Sequence, residues 1–84
     1  MEGRACRAVI RASVEHPGDL AKALEPDNAR APPGVSVVCT GDGVLECIVE
    51  VECRGPRGLL TLRNTVDDLL QALQAAESAL RASG

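Results

Sequence analysis

The 84-residue chain contains no phenylalanine, tyrosine or tryptophan. Its hydrophobic 45% is therefore built from aliphatic residues, alanine, cysteine and one methionine, whose side chains each bury less area than an aromatic ring. A domain of this size is close to the lower limit for a stable core, so we expect it to gain stability by oligomerisation. The missing rings also weaken the case for a single-stranded nucleic-acid binder, because such proteins stack bases on aromatic side chains.

Basic residues are too few to dominate the surface. Nine Lys and Arg residues stand against twelve Asp and Glu residues, and the resulting net charge of −3 is not typical of proteins that bind nucleic acid or anionic membranes. No apolar run approaches the roughly 18 residues of a membrane span, and the N-terminal sequence does not resemble a signal peptide. The sequence predicts a single cytoplasmic domain, residues 1–84, without a membrane partner.

The four cysteines, Cys6, Cys39, Cys47 and Cys53, contain no C-x-x-C pair, and the one histidine cannot complete a metal site. Each cysteine lies in a strand-like run of Val, Ile and Ala. We interpret them as buried residues that act as small hydrophobes. The alternative is a cross-strand disulfide, which hyperthermophiles tolerate inside the cell. We predict no metal and no cofactor.

Alternating apolar residues predict a half-buried strand within 4–13. A short helix is predicted within 15–28, with Pro17 at its first position. Pro26 should end this helix near Glu25, because the residue before a proline is disfavoured in the helical conformation.

A hairpin is predicted from the Gly-Asp-Gly that separates the strand-like runs 35–40 and 44–53. The apolar residues of both runs occupy odd positions, so only a loop with an odd number of residues places them on one face. We expect a three-residue loop, Gly41–Gly43, with a five-residue loop as the alternative.

The element order strand, helix, strand, strand, helix predicts an α+β fold. A right-handed crossover makes the first two strands parallel, and the third then fits between them, antiparallel to both, in the spatial order 1-3-2. Opposite charges on the polar faces of the first and third strands favour this order: Arg7 and Arg11 on one, Glu46, Glu50 and Glu52 on the other. Both helices should cover the apolar face of the three-stranded antiparallel sheet.

The second helix, within 57–81, has an unusually wide apolar face. Its larger apolar residues span an arc of roughly 100°, enough to face a sheet: Leu59, Leu62, Val66, Leu69, Leu70, Leu73 and Leu80. Beside them runs an alanine strip: Ala72, Ala75, Ala76 and Ala79. Alanine is the best helix former, which is one explanation of the strip. The other is a smooth surface where a partner helix approaches closely.

Residue groups typical of catalysis are missing from the sequence. Asp67 and Asp68 are adjacent and so point about 100° apart on a helix, which is a poor arrangement for acid–base catalysis. The segment 54–58 lacks the spacing of a phosphate loop. Its Arg54 and Arg57, with Arg63 nearby, are candidates for a phosphate contact, but we favour the interpretation that they are ordinary solvated arginines. We predict that the chain is not an enzyme.

Two motifs carry a resemblance to a known family. The segment "LAKALEPDN" (20–28) is followed by a hairpin and by "LLTLRNTVDDLLQALQAAE" (59–77). The chain resembles, over nearly its whole length, the small dimerisation subunit of the KEOPS complex, the CTAG/LAGE-type family, and its length suits the archaeal members. The resemblance implies a non-catalytic scaffold that dimerises with itself or with a paralogue. The complex installs threonylcarbamoyl on the adenosine beside the anticodon of tRNAs that read ANN codons.

The resemblance also implies that helices of this subunit pack against the catalytic ATPase-like subunit of the complex. Six residues would then be core or partner-facing: Leu20, Leu24, Leu69, Leu73, Ala76 and Leu80. Ala75 and Ala79 of the alanine strip complete the expected protein-interaction residues. Arg63 would make either a salt bridge or a tRNA contact. The alternative is a small KH-like RNA-binding module. We favour it less than the scaffold, because the chain lacks a G-x-x-G loop between two helices and lacks a net basic surface.

Overall fold

The structure, a computed structural model, describes residues 5–53 and 55–83. The elements follow in the order β1 (Ala5–Ala12), α1 (Pro17–Ala29), β2 (Val35–Asp42), β3 (Val44–Glu52) and α2 (Pro56–Ser83). The strands form one sheet in the order β1-β3-β2, and β3 is antiparallel to both of its neighbours. The predicted α+β class, strand order and element order are confirmed.

Strand register places most of the apolar residues of the three strands on one face. Ala8 and Val37 both lie opposite Val49, and Ile10 lies opposite Cys47. Side chains that are paired across antiparallel strands point to the same face, so the odd residues of β2 and β3 and the even residues of β1 form a common surface. The helices pack on this surface, which we call the buried face.

The core lies between the buried face and the two helices. Its buried residues come mainly from β3 and α1: Leu20, Ala21, Leu24, Leu45, Cys47, Val49, Val51 and Leu69. Only Leu69 represents α2 among them. The predicted role of α1 and α2 as the cover of the apolar face is therefore confirmed, but α1 supplies the more deeply buried side chains.

The hairpin turns at Gly43, one residue later than predicted. An odd loop was expected and is confirmed, since Val37 lies opposite Val49. The expected loop Gly41–Gly43 would have paired Thr40 with Val44, whereas Thr40 lies opposite Glu46. The strands continue to Asp42 and Val44, and Gly43 between them has a φ of 80°. Glycine adopts this left-handed conformation without the steric penalty of a Cβ atom, which fixes the turn here.

Helix α1 does not end before its internal proline, as we had predicted. It continues through Pro26 to Ala29, although Pro26 cannot donate the usual backbone hydrogen bond to Lys22. The last turn is held by the sheet: the half-buried Asn28 donates from Nδ2 to Sγ of Cys39 at 3.5 Å. Tertiary contact thus outweighs the local preference at the end of α1.

Helix α2 spans Pro56–Ser83 and includes the whole of the predicted segment 57–81. Its first turn lies against the end of β3, where the buried Gly58 contacts Cys53. A Cβ atom on Gly58 would lie 2.6 Å from the Cα atom and 2.9 Å from the Sγ atom of Cys53. Glycine is therefore needed for the close approach of helix and strand. Neither helix in the described part of the chain is apolar over enough of its length to cross a membrane.

The interpretation of the cysteines as unpaired small hydrophobes is wrong. Cys39 and Cys47 form a disulfide across the hairpin, and Cys6 and Cys53 form a second between β1 and the end of β3. Their Cα atoms are 4.0 Å and 5.4 Å apart, respectively. The weaker alternative, a cross-strand disulfide, is the arrangement found, and it is found twice. The buried Cys47 nevertheless also belongs to the core.

Candidate interaction surfaces

The apolar arc of α2 is only partly covered by its own sheet. Leu69 is 6% exposed, whereas Leu59, Leu60 and Leu70 are 61%, 55% and 41% exposed. The remaining large apolar residues of the arc pack against the core but are only half-buried: Leu62, Val66, Leu73 and Leu80. Leu60 lies outside the predicted arc. Much of the apolar surface of α2 is thus available to another protein.

The residues expected to form a protein interface divide into three groups. Leu20, Leu24 and Leu69 are buried in the core and expose almost no side-chain area to a partner. Leu73, Ala76 and Leu80 are half-buried at the boundary between core and surface. Ala75 and Ala79 are exposed, so they are the members of the set that can contact a partner directly.

Beside the alanine strip, a cleft of about 310 Å³ separates α2 from the connection between α1 and β2. Ala72 and Leu69 line it on the α2 side, and Pro32 and Val35 line it on the other. Ala75, which follows Ala72 by one turn, continues the strip along the helix. Small side chains here leave room for another helix to come close.

The second apolar surface is the sheet face that points away from the helices, which we call the open face. Val9, Ile48 and Val38 lie in one row across β1, β3 and β2. Val9 is 51% exposed and Val38 is 55% exposed. The open face therefore carries an apolar row that spans the full width of the sheet.

Ion pairs flank this row on either side. Nε of Arg11 lies 3.2 Å from Oε2 of Glu46, and Nε of Arg7 lies 3.9 Å from Oε2 of Glu50. Each arginine is directly opposite its glutamate in the register of β1 and β3, as the charge pattern predicted. The pairs balance the charges of these four residues, and the valine–isoleucine row lies between them.

The arginines considered for tRNA contact do not form one described patch. Arg54 lies outside the described residues. Arg57 and Arg63 are both exposed on α2, but a spacing of six residues turns their side chains about 120° apart around the helix. A shared phosphate site of these two residues is not supported by their placement.

The described residues offer little for metal or acid–base chemistry. They contain no group of three or more His, Cys, Asp or Glu side chains that could hold a metal ion. His16 lines a cleft of about 220 Å³ with Glu15, Glu77 and Arg81, among others, which mixes both charge signs without a paired nucleophile. Asp67 and Asp68 are exposed on α2. The chain's distinctive surfaces are therefore apolar.

Comparisons with protein families, with curated proteins and with solved structures found no match to this chain.

Proposed function

We propose that this chain is a non-catalytic dimerisation and scaffold subunit of the KEOPS complex, where it supports threonylcarbamoyl modification of the adenosine beside the anticodon in tRNAs that read ANN codons. The observation that carries the proposal is the incomplete cover of α2. A 28-residue helix leaves Leu59 and Leu70 largely exposed and buries a single leucine deeply. Exposed apolar surface of this kind is typical of a protein interface.

The proposed partner on the helix side is the catalytic ATPase-like subunit. A helix of that subunit would lie along α2, where Ala75 and Ala79 permit close approach and the neighbouring leucines supply apolar area. Helices that pack with small residues between them come closest together. The sequence resemblance supports a helical partner, since helices of the family pack on helices of that subunit.

The open face and the sheet edges are the surfaces left for dimerisation with a second copy or a paralogue. In this proposal tRNA contacts the assembled complex, since the described arginines of α2 diverge. The KH-like alternative gains nothing from the structure, which has no described helix pair joined by a G-x-x-G loop.

We further propose that the chain functions in the cytoplasm, and the two disulfides then restrict the kind of cell. Cytosolic thiols of mesophiles are kept reduced, whereas intracellular proteins of hyperthermophilic archaea are rich in disulfides. An archaeal cytoplasm of that type reconciles the scaffold function with the cysteine pairing.

Titration calorimetry with the ATPase-like subunit from the same organism tests the proposal. We expect a saturable complex, and we expect threonylcarbamoyl transfer to tRNA by the reconstituted enzymes to increase when the chain is added. The chain alone should neither hydrolyse ATP nor modify tRNA. Absence of binding to that subunit would overturn the scaffold proposal, and so would turnover by the isolated chain that a point mutation abolishes.

A further inference from the structure

The two disulfides differ in how easily a reagent can reach them from solvent. Cys47 is 1% exposed in the core, and its half-buried partner Cys39 contacts α1, where Nδ2 of Asn28 donates to Sγ of Cys39 at 3.5 Å. Cys6 and Cys53 are both half-buried. Cys6 lies on β1, which is an edge strand, and Cys53 lies one residue beyond the end of β3. The Cys6–Cys53 bridge is therefore the more accessible of the two.

The hairpin bridge is also protected by the chemistry of exchange. A thiolate breaks a disulfide by attacking one sulfur, and the other sulfur leaves as a thiolate. Cys39 is the member of the hairpin bridge that solvent can reach, so Cys47 would have to leave. Its thiolate would then be buried in the core with Leu45 and Val49. An unpaired charge among aliphatic side chains is unfavourable, and Cys47 is therefore a poor leaving group.

Cys53 is a better leaving group because it lies at the start of α2. The helix begins at Pro56, and a Cβ atom on Gly58 would lie 2.9 Å from the Sγ atom of Cys53. The sulfur is thus beside the first turn. Free backbone N–H groups and the helix dipole make this end of a helix positive, which stabilises a thiolate. Attack on Cys6 with departure of Cys53 is therefore the favoured direction.

The lengths of the two closed loops do not reverse this order. The Cys6–Cys53 bridge closes the longer loop, but loop length acts on the unfolded chain. In the folded protein the sheet holds each pair of cysteines together with or without its bond. Access to the sulfur and the stability of the departing thiolate then decide which bridge is reduced first.

We propose that the Cys6–Cys53 bridge is a thiol–disulfide exchange site for a dithiol reductant, whereas the hairpin bridge stays oxidised. One thiolate of the dithiol forms a bond to Sγ of Cys6, the bond between Cys6 and Cys53 breaks, and its electron pair remains on Sγ of Cys53. The second thiolate of the dithiol then attacks the reductant's own sulfur in the mixed disulfide and releases Cys6 as a thiolate. The chain has gained two electrons, and the dithiol has become a disulfide.

Exchange at this site couples the stability of the chain to the surrounding dithiol pool. Reduction removes the cross-link of sequence separation 47, which restrains the unfolded chain more than the hairpin bridge does. The folded domain then keeps one bridge, Cys39–Cys47, and becomes easier to unfold. This inference uses only the fold and its cysteines, so it stands or fails independently of the scaffold proposal.

Timed reduction of the oxidised wild-type chain tests the order of the two bridges. Dithiothreitol is added under native conditions, samples are quenched with N-ethylmaleimide, and tandem mass spectrometry locates the labelled cysteines. We expect Cys6 and Cys53 to be labelled together, with an initial rate about tenfold or more above that of Cys39 and Cys47. Equal initial rates, or earlier labelling of the hairpin pair, would overturn the proposal.

The direction of attack is tested with a reagent that has a single thiol. Brief treatment of the oxidised chain with 2-mercaptoethanol, followed by an acid quench, traps the mixed disulfide before it is resolved. We expect the reagent on Cys6 and a free thiol on Cys53. A mixed disulfide found on Cys53 instead would overturn the assignment of Cys53 as the leaving group.

Two matched charge reversals test the contribution of the start of α2. Arg57→Glu and Arg63→Glu change the same residue type at exposed positions of α2, and only Arg57 lies in the first turn. Both variants change the net charge equally, so both repel the thiolate reagent to the same extent at long range. R57E should reduce the initial rate at Cys6–Cys53 about threefold or more relative to R63E, because a nearby carboxylate destabilises the departing thiolate. Equal rates in the two variants would overturn the assistance by the helix start.

Discussion

Cys39 and Cys47 lie directly opposite each other across the β2–β3 hairpin, with their Cα atoms 4.0 Å apart and their sulfur atoms joined. The bridge closes a sequence separation of 8 residues, whereas the Cys6–Cys53 bridge closes one of 47. Cross-links that close longer loops restrict the unfolded chain more. On this basis the Cys39–Cys47 bridge adds about 2.5 kcal/mol to the free energy of unfolding, and the Cys6–Cys53 bridge adds about 4 kcal/mol.

Removal of the Cys6–Cys53 bridge should therefore destabilise the oxidised protein more than removal of the hairpin bridge. We expect urea unfolding to show that the free energy of unfolding falls by about 4 kcal/mol in the C6A/C53A variant. The loss of the cross-link alone should lower it by less in the C39A/C47A variant. The buried Cys47 adds a packing cost to the second variant. Unfolding under reducing conditions isolates that cost, because the wild type then has no cross-links either. If all four thiols of the untreated, folded protein react with an alkylating reagent, the prediction fails.

Gly58 and Gly18 provide a matched pair of glycines within helices. Gly58→Ala should destabilise the fold by about 1–3 kcal/mol, because the new Cβ atom would overlap the backbone of Cys53. Gly18→Ala should stabilise it by about 0.5 kcal/mol, since its Cβ atom would meet only the carbonyl oxygen of Gly41 at 3.7 Å and alanine favours the helix. Chemical denaturation of both variants measures the difference. Equal effects of the two substitutions would contradict the close packing of α2 on β3.

The two ion pairs of the open face should contribute little, and unequally. A double-mutant cycle for Arg11 and Glu46 should give a coupling energy of about 0.5 kcal/mol, because exposed pairs gain only modest Coulomb energy. The cycle for Arg7 and Glu50 should give a value near zero, since their atoms are 3.9 Å rather than 3.2 Å apart. Both couplings should decrease at high salt. A coupling above about 1.5 kcal/mol would show that these charges are less solvated than their exposure implies.

The exposed alanines of α2 should matter for binding and not for folding. Replacing both Ala75 and Ala79 with Glu should cost only a few tenths of a kcal/mol per site in helix stability. At a packed helix–helix interface the same change inserts bulk and an unpaired charge, which costs several kcal/mol. We therefore expect an unchanged circular dichroism spectrum and lost affinity for the ATPase-like subunit in calorimetry.

The matched control for this variant is Gln74→Glu with Ser78→Glu. It adds the same two charges at the same spacing, at exposed positions one residue earlier on the helix. This control should bind like the wild type. Wild-type affinity of the A75E/A79E variant would show that the alanine strip faces only solvent. The interface would then lie at the exposed leucines, because Leu20 and Leu24 of α1 are buried and cannot replace it.

Alternation and chain topology were sufficient to predict the sheet. Arg7 and Arg11 could be assigned to the face of Glu50 and Glu46 from sequence, because period-two alternation leaves only two choices for each strand. The centre of the hairpin could not be fixed in this way, since every odd loop satisfies the alternation. The predicted centre at Asp42 would have placed Cys39 opposite Leu45 instead of Cys47, so this register gave no indication of the disulfide between the two cysteines. A hypothesis of paired cysteines would have selected Gly43 as the centre.

The helices were harder to predict because tertiary contacts decide their details. Pro26 is a local stop signal, and the contact between Asn28 and Cys39 that accompanies the last turn of α1 joins residues 11 apart. The prediction that several helix residues are core or partner-facing left a choice open for a related reason. Helical periodicity shows that Leu20, Leu24 and Leu69 lie on the apolar faces of their helices, but only the packed structure shows that they are buried in the chain's own core.

Both disulfides lie within residues 6–53, so the covalent network includes the sheet and α1 and excludes α2. In the oxidised protein, opening of the sheet is resisted by cross-links, whereas α2 is held by noncovalent packing alone. Amide hydrogens of α2 should then exchange through a local opening of lower free energy than those of β3. A partner that binds α2 would slow this exchange by mass action, because it binds only the docked helix. The least anchored element of the fold is therefore the one whose stability a partner can control.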